Sequence, residues 1–289
     1  MAFSLNLLFD LREMWQYPFM QHAFEAGTFV AIVAGIIGYF VVLRRSSFAA
    51  HALSHVGFAG AAAAVLFGVD PIVGLLVFTS SGGVTMAVLG RRVSSRDVQI
   101  GTVLAFMLGL GVLFISLYTG YATEAYSILF GEILGISVDA VIVTIVASMV
   151  ILVAAGFVYR PLLFASLDED VAEAKGLPML LLGIVFMLLV AIATSVAVQV
   201  VGVLLIFALM VTPAAIAQRL TRKPGRGIVL SILIALVATW SGIFVAYYLP
   251  YPVSFFITTI VFAIYALVLS IQKARASRLR PSLKEPEAE

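Results

Sequence analysis

The chain has no cysteine in 289 residues. That excludes disulfides, thiolate metal sites and cysteine nucleophiles, and leaves the redox compartment open. Charge is scarce: Asp, Glu, Lys and Arg make up 11% of the chain, against 63% hydrophobic residues and a mean hydropathy of +1.15. No ordinary water-soluble domain is this apolar, so the sequence reads as an integral membrane protein. Its slight positive balance comes from Arg and Lys clustered at segment ends, which fits membrane orientation and not nucleic-acid binding. No signal peptide is expected, because residues 1–9 carry no basic region and Asp10, Arg12 and Glu13 follow. The phosphate loop Gly-x-x-x-x-Gly-Lys-Ser/Thr, the His-Glu-x-x-His zinc motif and the Gly-x-Ser-x-Gly elbow are all missing. The chain therefore does not use ATP by that route itself. Ser54 beside His55 makes no catalytic pair, since neighbours on a helix point apart.

What the sequence does have is long apolar runs, at residues 19–43, 48–67, 71–89, 98–118, 138–158, 179–199, 201–217, 228–248 and 253–271. They predict an all-α fold, a polytopic membrane helix bundle of eight or nine transmembrane helices. Residues 1–18 read as an interfacial lead-in, with Trp15 and Tyr17 suited to the membrane–water boundary. His22 and Glu25, in the opening turns of the first run, are expected to reach that boundary. Residues 19–272 form the transmembrane domain and residues 273–289 a polar tail. Residues 126–136 are apolar but too short to span, which predicts a re-entrant or half-helix. Pro161 is expected to close the run that ends near Val158.

Nine crossings place every basic cluster (Arg44/Arg45, Arg91–Arg96, Arg160, Arg222–Arg226, Lys273–Arg280) on one side, while the opposite loops carry Asp70, Glu124, Glu132 and Asp139 and no Lys or Arg. By the positive-inside rule the N-terminus is outside and the C-terminus cytoplasmic. Glycines and alanines within the spans, including Gly38, Gly57, Gly60 and residues 59–64, predict close helix packing. Pro213, inside an apolar run, is expected to kink its helix and is a candidate for lining a pathway, as is Glu132 for a gate.

Two stretches carry chemistry. His51 and His55, two of only three histidines, lie four residues apart, which on a helix puts both on one face with Cβ atoms about 5–6 Å apart. Such a pair either hydrogen-bonds to neighbouring helices or shares one ion, and ionisable groups inside a span mark function by default. Residues 166–176 form the long charged interval. Ser166 or Asp168 can cap a helix, Glu169 and Asp170 fill its first turn, and Gly176 with Pro178 ends it. A short polar helix of this kind between spans is shaped to dock on a soluble partner.

In this order, several motifs are similar to the membrane permease subunits of the ABC-3 family, over residues 15–272. They are Trp15…Pro18-Phe19-Met20-Gln21, Val42-Leu43-Arg44-Arg45 with Phe48…His51-Ala52-Leu53-Ser54-His55…Gly60, Leu129-Phe130-Gly131-Glu132-Ile133-Leu134-Gly135, Leu167-Asp168…Ala172…Ala174-Lys175-Gly176-Leu177-Pro178, and Leu209-Met210-Val211-Thr212-Pro213-Ala214-Ala215. The resemblance implies a subunit of a bacterial ATP-driven importer of zinc, manganese or iron in the cell (inner) membrane. It further implies a permease dimer, separate cytoplasmic ATPase subunits and an extracytoplasmic metal-binding protein that delivers the ion. No cofactor is expected beyond the transported metal. Residues 166–176 would be the coupling helix, with Asp168, Glu169, Ala172, Ala174 and Gly176 facing the ATPase and the alanines permitting close docking.

His51 and His55 would lie at the family's metal site, one pair from each protomer. Relatives commonly carry Asp where this chain has His51, and the segment Tyr248-Leu249-Pro250-Tyr251-Pro252 lacks an acidic residue often found there. Four imidazoles suit tetrahedral zinc, whereas manganese favours oxygen, so zinc is expected over manganese. Ligation needs neutral imidazole, so uptake is expected to weaken as pH falls through about 6.5. Alternatives are a manganese or iron importer, a siderophore-type permease, a proton-coupled carrier, and an intramembrane metalloenzyme, which would need a third ligand and a base.

Overall fold

The structure, a computed structural model, describes residues 12–90, 96–118, 131 and 133–278. It is all-helical, without strands among the described residues. Among the described residues, nine helices are long and apolar enough to cross a membrane: α1 (Pro18–Leu43), α2 (Ser47–Phe67), α3 (Pro71–Leu89), α4 (Arg96–Leu117), α5 (Val138–Leu167), α7 (Met179–Val201), α8 (Val203–Leu220), α9 (Pro224–Tyr248) and α10 (Val253–Arg278). A short helix, α6 (Glu169–Ala174), joins α5 to α7. The expected re-entrant segment and Glu132 fall largely or wholly outside the described residues.

Local chemistry sets several ends. Pro18, Pro71 and Pro224 open their helices, where a missing N–H costs nothing and the fixed φ already suits the first turn. The turn between α2 and α3 closes on Gly68 at φ 67°, and the Asp70 side chain accepts a hydrogen bond from the Ile72 N–H at 2.8 Å. Pro161 departs from expectation: α5 runs through it to Leu167. Leu162 and Ala165 beyond it are buried, and the Ser166 hydroxyl bonds back to the Leu162 carbonyl. Packing on that face outweighs the one backbone bond that proline removes.

Within lipid, helices associate through close packing and not through removal of apolar surface from water. The centre of the bundle is α1, α2 and α7, each with 67% of its spanning stretch buried, while α4 and α10 lie at the rim with 17% and 11%. Two contacts show what the small residues do. Gly60 of α2 and Gly74 of α3 meet so closely that a Cβ on either would fall on the other's carbonyl oxygen. A Cβ on Gly38 of α1 would likewise collide with the Met210 carbonyl of α8. The α8 frame is further tied to α1 by the Gln218 side-chain amide, which donates to the Tyr39 carbonyl at 3.0 Å.

The basic segments gather at one end. Arg44 reaches the Ser166 hydroxyl at 3.5 Å and lies over the Phe186 ring, and Gln272 donates to the Arg219 carbonyl at 3.1 Å. Gly227, at the start of α9, packs on the Tyr39 ring. The ends of α1, α5, α8 and α10 and the starts of α7 and α9 therefore converge. At the opposite end Tyr17 packs on Tyr247, with ring centroids 6.1 Å apart. Arg12, beside Glu13, is the one Lys or Arg there among the described residues.

Candidate functional site

The turn from α1 to α2 places the paired histidines. Arg45 takes φ 53°, the Ser46 amide donates to the Val41 carbonyl at 2.8 Å, and α2 starts at Ser47. From there Ala49, Ala50, Ala52, Leu53 and Val56 face the interior, where α2 packs on α3 and α7. Ser54 is buried and donates to the Ala50 carbonyl at 3.1 Å, so its hydroxyl closes on its own helix. The other side of α2 presents Phe48, His51, His55 and Phe58 as an accessible or half-buried stripe.

His51 and His55 stand edge to face with ring centroids 4.7 Å apart and planes at 84°. Both are half-buried. Phe207 of α8 packs on His51 from a centroid distance of 4.8 Å at 64°. The Nδ1 atom of His51 is enclosed and has no hydrogen-bond partner. The stripe continues onto α8 through Leu204, Phe207, Ala208, Val211, Thr212 and Ala215, none of which is fully buried. Pro213 lies on the buried side of α8, while its neighbour Thr212 lies on the stripe. Among the described residues no group of three or more His, Asp or Glu side chains comes together. One copy of the surface thus offers two imidazoles, and four-coordinate zinc takes more ligands than that.

The charged interval is shorter than the sequence suggests. Ser166 belongs to α5, and Asp168 caps α6 by accepting from the Val171 N–H at 3.0 Å. Gly176 ends the segment at φ 82°, a left-handed conformation that glycine adopts without penalty, while the Leu177 N–H returns to the Ala172 carbonyl at 3.2 Å. Ala172 is fully enclosed by its own chain, where α6 meets α5 and α7. Asp170, Val171, Glu173, Ala174 and Lys175 form the outward face, along with Asp168 and Glu169. Beside α6 opens a cavity of about 690 Å³ lined by Arg44, Met86, Glu169, Glu173, Phe186 and Met187 among others.

Phe207 carries no signal in the sequence. It is one of 21 phenylalanines, set in an apolar run, and only the packing of α2 on α8 brings it to His51. The link from Arg44 to Ser166 is likewise invisible in the linear order.

The sequence pattern described as the ABC 3 transport family matches residues 16–272. The chain is 32% identical over 238 residues to the manganese transport system membrane protein MntC of Listeria monocytogenes, covering 82% of this chain and 85% of that protein. It is 30% identical over 234 residues to the high-affinity zinc uptake system membrane protein ZnuB of Buchnera aphidicola, covering 79% and 88%. Among solved structures it resembles PsaBC from Streptococcus pneumoniae in complex with Fab, at TM-score 0.81 and 27% identity over 91% of this chain and 95% of that one. An inward-facing putative metal-chelate type ABC transporter shares the fold at TM-score 0.63 and 16% identity. With nine helices fit to span a membrane among the described residues, a capped helix between α5 and α7, and a match over nearly its whole length, the chain belongs to the ABC 3 transport family.

Proposed function

We propose that the chain is the membrane permease subunit of an ATP-driven importer of divalent metal ions. What carries this is the placement of His51 and His55 one turn apart on an accessible face of a central span, in a chain of this family. Relatives named for manganese and for zinc transport support the substrate class. The permease itself is not an enzyme; ATP is hydrolysed by separate cytoplasmic subunits that dock on the outward face of α6. An extracytoplasmic metal-binding protein delivers the ion. A second copy of the chain, facing across the α2–α8 stripe, brings two more imidazoles and completes a four-nitrogen set in the pathway. Residues 19–272 act as the permease domain in a bacterial cell membrane. The N-terminus lies outside, and α6 and the basic tail lie in the cytoplasm, as the segregation of Arg and Lys favours.

Zinc is the favoured cargo, because imidazole suits it and manganese prefers oxygen ligands. Manganese is the second reading, supported by the several relatives named for manganese transport. Uptake of radioactive zinc and manganese, in cells lacking other importers, separates the two. Wild type should prefer zinc, His55→Ala should abolish uptake, and His51→Asp should keep uptake while shifting preference toward manganese. Normal uptake by both His51→Ala and His55→Ala would remove the pair from the pathway.

A further inference from the structure

We infer that Phe207 is a positioning residue for the His51 metal ligand, and that its ring takes the place of the hydrogen bond that usually orients a ligating imidazole. This rests on His51 and His55 being the metal site. A ligating histidine ordinarily donates its second ring N–H to a carboxylate, carbonyl or water, which fixes the tautomer and raises the basicity of the other nitrogen. His51 lacks that arrangement. Its Nδ1 is enclosed and unpartnered, so Nε2 is the nitrogen left to meet an ion. Its ring is held instead between two aromatic edges, His55 at 4.7 Å and Phe207 at 4.8 Å.

Phe207 is well founded for this task. It sits on α8, whose backbone is pressed on Gly38 through the Met210 carbonyl and pinned by the Gln218–Tyr39 hydrogen bond. His51 sits on α2, locked to α3 at Gly60 and Gly74. Two rigid helices thus hold the two rings against each other, which is how a scaffold keeps a ligand in a productive rotamer. The chemical consequence suits transit. Aromatic packing fixes where Nε2 points without drawing on the Nδ1 proton, so the ligand is oriented but not made more basic. An ion in a pathway has to bind well enough to enter and weakly enough to leave.

The test uses the full chain assembled with its ATPase in lipid nanodiscs, with zinc and manganese binding titrated directly and uptake kinetics measured in cells. Phe207→Leu should weaken zinc binding by about tenfold, the low end of the roughly 10- to 100-fold that changes around metal ligands produce. It should raise the KM for uptake with the maximal rate and the melting temperature little changed. Phe207→Tyr, which keeps the ring, should restore wild-type binding. In a His51→Ala background, Phe207→Leu should have no further effect on binding. Wild-type zinc affinity and KM in Phe207→Leu would overturn the assignment, and Phe207→Met supplies the same measurement if the leucine variant does not assemble. Full zinc binding by His51→Ala and His55→Ala would instead overturn the metal site itself. Loss of binding in those two with no change in Phe207→Leu would overturn only the role of Phe207.

Discussion

The hydroxyls of Thr79 on α3 and Ser195 on α7 meet at 2.6 Å in the buried centre of the bundle. One hydroxyl gives its proton to the other, which in turn donates to its own helix: Thr79 to the Leu75 carbonyl when Ser195 donates across, or Ser195 to the Ala191 carbonyl when Thr79 does. The bond between them therefore ties α3 to α7 across a buried contact. Thr79→Val and Ser195→Ala should each lower stability in detergent. A double-mutant cycle should give a coupling of about 0.6 kcal/mol, and no more than roughly 1.7, the range for such bonds between membrane helices. Strict additivity of the two changes would show that the bond contributes nothing.

Gly60→Ala should be far more damaging than its size suggests. The new methyl would fall on the Gly74 carbonyl, so α2 and α3 would have to separate, at about 1–3 kcal/mol for an overpacked interface. Because α2 carries both histidines, metal uptake should fall together with the melting temperature. Gly109→Ala is the matched control, since a Cβ there meets nothing within 4 Å. Equal melting temperatures for the two variants would count against the close crossing.

Orientation can be read by labelling, since the chain contains no native cysteine. Asp139 and Glu173 are both exposed, at opposite ends of the bundle. In intact cells an impermeant thiol reagent should label Asp139→Cys and leave Glu173→Cys untouched until the membrane is opened. The reverse pattern would invert the proposed topology.

The two alanines of α6 should part company. Ala174 points outward and Ala172 is fully enclosed. Ala174→Trp should reduce metal-stimulated ATP hydrolysis while leaving the melting temperature within about 1 °C, since surface changes usually stay within about 0.5 kcal/mol. Ala172→Trp should unseat α6 and lower both. Undiminished stimulation in Ala174→Trp would free this face from any role in docking.

Much of the fold was legible because membrane spans are encoded locally. About twenty apolar residues must span the hydrocarbon, and each helix satisfies its own backbone, so the nine runs in the sequence became α1–α5 and α7–α10, with the largest end shifts at α5 and α10, which run on to Leu167 and Arg278. Asp168 as a cap, Gly176 as a stop and the gathering of basic residues at one end are properties of short segments, and they too were readable. So was the pairing of His51 with His55, which needs only the pitch of one helix. Pro161 misled because the rule for proline is local, while Leu162 and Ala165 are held by contacts with other helices.

Which helix face meets which was a different matter. In lipid one apolar surface is as good as another, so hydropathy does not say that Phe207 rests on His51, that Arg44 reaches Ser166, or that Ala172 turns inward while Ala174 turns out. Those relationships depend on the rotation and crossing of whole helices. Close approaches such as Gly60 to Gly74 and Gly38 to Met210 set that geometry, and they exist only once residues far apart in the chain are packed together. The sequence by itself determined the spans, most of their ends and the histidine pair; the tertiary structure alone decided what surrounds that pair, because side-chain packing across helices is not a property of any one segment.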